Sequence, residues 1–176
     1  MNEIDRIKRL QEAVVELGLG ARTIVSSTPK TVIDAAEHQV DDDEVAAFNA
    51  LVKDSSILEV TKDLFSSGFY NLAVAEAFKA VEKMVAERLG EFSQSGTKLM
   101  RQAFSNKSPK LAWTERSTSS QKDEQEGYEH IFAGSMLGIR NPTTHEFDWV
   151  DDAQTALELV LFAQHLARKA KNSFRA

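Results

Sequence analysis

Apolar residues recur every three or four positions along almost the whole chain, and only three prolines and eight glycines interrupt its 176 residues. That spacing follows the turn of an α-helix, not the two-residue alternation of a half-buried strand. The chain is therefore expected to be all-α, with no segment that reads as a strand. Ile4, Ile7, Leu10, Val14 and Leu17 form one stripe, the last four at heptad spacing, and Gly18 and Gly20 end it. A short segment follows Pro29, from Thr31 to His38. Asp41, Asp42 and Asp43 then offer an N-cap and first-turn charge for a helix through Val45, Phe48, Leu51 and Val52.

From Ile57 the pattern strengthens. Ile57, Leu58, Leu64 and Phe65 lead to a stop at Ser66-Ser67-Gly68, and a long helix is expected from about Phe69 to Leu89, closed by Gly90. A shorter helix around Lys98 to Phe104 precedes a loop of roughly 105–121. The next helix should run from Asp123 to Arg140, where Pro142 makes continuation unfavourable. The last starts near Val150 and is apolar around most of its circumference from Ala156 to Ala167, which suits a central position. Together these elements make a four-helix-type bundle over 55–176, with a helical N-terminal extension, 1–54, available for oligomerisation or partner contact.

Composition removes several function classes. The absence of cysteine excludes disulfides, thiolate metal sites and a cysteine nucleophile, and is consistent with a reducing cytoplasm. The charged N-terminus lacks the apolar run of a signal peptide, and no stretch approaches the roughly 18 uncharged apolar residues of a membrane span. A net charge of −6 argues against sequence-independent coating of nucleic acid but allows a local basic cleft.

The chemistry is concentrated in Arg140-Asn141-Pro142-Thr143-Thr144-His145. If Pro142 turns the chain, Arg140 ends one helix and His145 begins the approach to the next, so the two can face one cleft. An arginine and a histidine suffice to cleave RNA without a metal or cofactor. The imidazole exchanges a proton with the ribose 2′-hydroxyl or the leaving oxygen, while the guanidinium grips the phosphate and offsets transition-state charge. Asn141 is placed to orient either group. The rival structural reading pairs Arg140 with Glu146 or Asp148 and leaves His145 as a helix cap.

The stretch from Gln125-Glu126-Gly127 through Phe132-Ala133-Gly134-Ser135-Met136-Leu137-Gly138-Ile139 into this motif resembles the Ymh-type family of the HEPN superfamily. Gly68-Phe69-Tyr70-Asn71, Ala75-Glu76-Ala77-Phe78-Lys79-Ala80-Val81-Glu82 and Lys98-Leu99-Met100 carry the same resemblance, which covers about residues 57–170. It implies a helical bundle, commonly dimeric, that often acts as a metal-independent endoribonuclease in toxin or phage-defence systems, sometimes with an antitoxin partner. The family's functional arginine, adjacent polar residue and histidine fall on Arg140, Asn141 and His145. Some members of the superfamily are non-catalytic, which keeps an RNA- or nucleotide-binding module and a helical adaptor as alternatives.

Four further features bear on function. Between Gly96 and Lys122, six cations (Lys98, Arg101, Lys107, Lys110, Arg116 and Lys122) stand against Glu115 alone, and this segment can be read as an RNA-steering surface or a solvated loop. Trp113 within it either stacks on a base or, as the preferred reading, anchors the loop. Gly127, Gly134 and Gly138 share a helical face with Ile131, which suggests close approach of another helix, from this chain or a second copy. Glu76, Lys79 and Glu82 lie on one face of the long helix, as a solvated or ion-paired strip or as support for Arg140. His38, His130 and His165 show no metal-ligand spacing.

Overall fold

The computed structural model describes residues 41–176, so the heptad stripe through Leu17, the segment from Thr31 and His38 lie outside the described residues. Side-chain caps fix where the helices start. Asp41 accepts from the Asp43 N–H at the head of α1 (Asp42–Leu51), and Asp54 accepts from the Ser56 N–H at the head of α2 (Ser55–Ser66). Next come α3 (Tyr70–Leu89), α4 (Gly96–Phe104), and α5 (Ser119–Ser135), which opens on a reciprocal Thr118–Gln121 capping box. A π-helical turn (Met136–Arg140), α6 (Asn141–His145) and α7 (Ala153–Lys171) complete the helices. Gly90, at φ 67°, closes α3 in the left-handed conformation that glycine adopts without penalty.

The protein is all-α. Helix α3 lies at the centre, against α2, α4, the π-turn, α6 and α7. Ala73, Val74, Ala77, Phe78, Val81 and Val85 of α3 and Ala156, Val160, Ala163, Leu166, Ala167 and Ala170 of α7 are fully buried. The small residues at this contact let the two backbones approach closely.

Three expectations change. Residues 42–54, assigned to the N-terminal extension, pack into this core: Phe48 stacks on Phe65 at 4.3 Å, and Val52 is fully buried. Gln164 of α7 staples this segment, accepting from the N–H groups of Lys53 and Asp54 and donating to the Leu51 carbonyl. The expected loop at 105–121 contains a two-residue strand, β1 (Leu111–Ala112), paired antiparallel with β2 (Phe174–Arg175). Two residues are too few for alternation to register in sequence. Trp113 anchors this loop: its indole N–H donates to the Lys169 carbonyl at 2.7 Å, and its ring stacks on Phe104 at 4.7 Å. The third change concerns Pro142 and shapes the site. Among the described residues, no helix is long and apolar enough to cross a membrane.

Candidate functional site

The helix does not stop before Pro142. It widens at Met136–Arg140 and resumes as α6, so Arg140 and His145 lie on one continuous rod instead of flanking a turn. The Asn141 N–H donates to the Met136 carbonyl five residues back, as a π-turn requires. In a regular α-helix the Pro142 ring would strike the Gly138 carbonyl and leave it without a donor; the wider turn relieves the clash. Threonine hydroxyls serve the neighbouring carbonyls. Thr143 Oγ1 donates to Ile139 (2.9 Å) and Arg140 (3.0 Å), and Thr144 Oγ1 to Arg140 (2.7 Å). Asn71 of α3 fixes the far end, its amide donating to the carbonyls of Thr143 (3.0 Å) and Glu146 (2.9 Å).

This geometry sends the motif's side chains in different directions. Arg140 turns toward α3, where its guanidinium pairs with Glu82 Oε2 at 3.4 Å; the side chains are 25% and 12% exposed. Glu82 is itself held, its other oxygen accepting from the Gly96 N–H at 2.6 Å. Of the readings open for Glu82, support of Arg140 is the one the contacts show, and Arg140 pairs with neither Glu146 nor Asp148. Arg140 also donates to Asn141 Oδ1 at 3.4 Å, and its buried Nε has no partner among the described residues. His145 is exposed at the end of α6, and its side chain makes no hydrogen bond among the described residues.

Two cavities meet at His145. An open groove is lined by Leu137, Asn141, Pro142, His145, Glu146 and the loop Phe147-Asp148-Trp149. A pocket of about 520 Å³ lies between the start of α3 and the residues that follow α6. Arg140 lines neither. Within one chain the structure therefore brings Asn141 and His145 to a shared groove and places Arg140 on the α3 side of the rod. Burial and the Glu44 carboxylate, 3.4 Å away, push the Tyr70 phenol at the pocket above its ordinary value. Asp152, which caps α7, is held below the usual carboxylate range by the Thr155 N–H.

The basic segment is divided. Lys98, Arg101, Lys107 and Lys110 are exposed, whereas Arg116 is half-buried, at φ 55°, and donates to the Asn106 carbonyl at 2.7 Å, an internal structural contact. The same loop is tied to acids of α5, with the Asn106 N–H donating to Glu129 and its side-chain amide to Glu126. His165 accepts from or donates to the Tyr128 hydroxyl at 2.8 Å, and His130 is exposed. No group of three or more His, Asp or Glu residues among those described is arranged to hold a metal ion.

Sequence reasoning missed Asn71 as the clamp on α6, and the aromatic rim of Phe147 and Trp149. The latter had a signal: two aromatics in a short acidic connection between helices, where burial is unavailable to both.

Fold and site define an all-helical domain that displays an Arg-Asn-Pro-Thr-Thr-His element on a π-turn, with the histidine at a junction of two cavities. The chain belongs to the Hypoth_Ymh family, a family of proteins of unknown function whose model matches residues 30–170. No curated protein and no solved structure matches it.

Proposed function

We propose that this protein is a metal-independent endoribonuclease of the HEPN type, with a four-helix-type bundle, in which Arg140, Asn141 and His145 act on an RNA phosphodiester and no cofactor takes part. The observation that carries the reading is His145 itself: a histidine whose side chain makes no hydrogen bond among the described residues, beside Asn141 in an open groove, at the end of a rod held by Asn71. A π-turn kept inside a helix despite its cost is frequently a functional feature.

In this mechanism His145 removes the 2′-hydroxyl proton, the 2′-oxygen attacks phosphorus, and the 5′-oxygen of the next nucleotide leaves after protonation. The products are a 2′,3′-cyclic phosphate and a 5′-hydroxyl. With His145 the one histidine of the motif, a second copy is the natural donor of that second proton. The exposed face Ile131, Gly134, Leu137 and Gly138 runs along the rod into the His145 groove, and its apolar residues favour a homodimer closed across that groove. The exposed cations Lys98, Arg101, Lys107 and Lys110 would steer the substrate. A role in a toxin or phage-defence system, with an antitoxin or defence-system partner, follows from the resemblance of the motif, and the cysteine-free composition suits a cytoplasmic setting.

The Arg140–Glu82 pair favours a second reading, a helical adaptor or a non-catalytic RNA- or nucleotide-binding module in which Arg140 only locks the rod to α3. Product analysis decides between them. RNA treated with the protein in EDTA should carry 2′,3′-cyclic phosphate ends, and Arg140→Ala should lower the rate about 10²-fold or more. Undiminished cleavage by Arg140→Ala would assign that arginine to structure alone.

A further inference from the structure

The pocket beside His145 has a chemistry that binding of a polyanion does not use. Tyr70 and Val150 are buried in its wall, while Phe69, Leu72 and Phe147 stand on its rim, 60%, 45% and 94% exposed. Among the described residues its charged lining consists of Glu146, Asp148 and Asp151, with no lysine or arginine. Glu44 reaches the Tyr70 hydroxyl, so the acidic start of α1 (Asp41, Asp42, Asp43) adjoins the same end of the molecule. A phosphate inside this pocket would face three carboxylates, Asp151 as well as the Glu146 and Asp148 that it shares with the groove. A guanidinium would instead stack on exposed aromatic faces and pair with carboxylates. The volume, about 520 Å³, is that of a site for a small ligand or a few side chains.

We propose that this pocket receives an arginine-bearing basic segment of a partner protein, and that the docked segment covers His145. Charge complementarity selects the occupant, since the lining is apolar and aromatic at its faces and anionic at its edges. The planar, weakly hydrated guanidinium suits that combination better than an ammonium does. Coverage of His145 follows because the histidine lines the same pocket. That such coverage blocks catalysis rests on the ribonuclease reading; the docking does not.

Titration of the full-length protein with a hexa-arginine amide peptide at low salt tests the proposal. The double variant Asp148→Asn/Asp151→Asn should weaken binding tenfold or more, and Phe147→Ala severalfold; both changes are at exposed positions. Neutralising two exposed acids of α2, Glu59→Gln/Asp63→Asn, should change it less than twofold. Bound peptide should slow carbethoxylation of His145 by diethyl pyrocarbonate, followed by peptide mapping. Spermidine, which carries positive charge without a guanidinium, should bind at least tenfold more weakly. Equal losses from the two acidic pairs, equal binding of spermidine, or an unprotected His145 would each overturn the proposal. Intact peptide binding by a protein that cleaves no RNA would remove the ribonuclease reading and leave the docking site standing.

Discussion

Asn71 connects the long central helix to the motif through two hydrogen bonds, and both acceptors are carbonyls at the end of α6. Asn71→Ala leaves these carbonyls, one partly buried and one exposed, short of a donor, so it should destabilise the fold by about 1 kcal/mol in chemical denaturation. It should also lower activity by loosening the helix end that carries His145. Loss of activity with unchanged stability would place Asn71 in the chemistry instead. Asp152 offers a pH test. Its folded pKa lies below its ordinary value, so its contribution is present above about pH 4 and is lost as pH falls through the lower folded value. Asp152→Ala should cost about 1 kcal/mol at neutral pH through loss of the α7 cap. The penalty should shrink on acidification, as urea midpoints across pH 3–7 would report. A constant penalty down to pH 3 would assign the effect to packing.

Among the elements, the rod from α5 through the π-turn to α6 gives the clearest prediction. Apart from the backbone of its own helix, a Cβ added at Gly127 or Gly134 meets nothing within 4 Å among the described residues. Alanine at either position should therefore stabilise the isolated protomer by about 0.5–1 kcal/mol, read as a higher thermal midpoint at concentrations where the chain is monomeric. If a second copy closes on this face, Gly134→Ala should at the same time weaken association. The helices themselves were legible because each buries an apolar stripe: Val74, Phe78, Val81 and Val85 announce α3, and Ala156 to Ala167 announce α7. The π-turn was not legible. It arises from one additional residue in a single turn, leaves the apolar pattern almost intact, and sits where Pro142 ordinarily signals a stop. The Arg140–Glu82 contact joins residues far apart in sequence, so local spacing could place Glu82 on a face but could not decide what that face meets. The packing of α1 was hidden for a related reason. Phe48 and Val52 look like a short independent stripe until Phe65 and Gln164 close on them.

At the scale of the whole molecule, charge and shape divide the surface. The pocket end is acidic, with Glu146, Asp148 and Asp151 beside aromatic side chains, while Lys98, Arg101, Lys107 and Lys110 lie on α4 and the segment that follows it. The exposed face along α5 leads to Leu137, 63% exposed, at the edge of the His145 groove. A homodimer closed on that face should form at micromolar concentration. Leu137→Asp should shift it to monomer in light scattering, and cleavage should fall with it. Replacing Leu10 and Val14 with Asp tests instead whether the N-terminal stripe makes the contact. A monomer that retains full cleavage would eliminate a site shared between copies. The central claim is that His145 serves RNA cleavage, and its most direct test is incubation of total RNA in EDTA with wild-type protein and, side by side, folded His145→Ala. The ribonuclease account predicts cleavage by the wild type and a rate reduced about 10²-fold or more in the variant. Equal cleavage by the two proteins, or none by a correctly folded wild type, would contradict it.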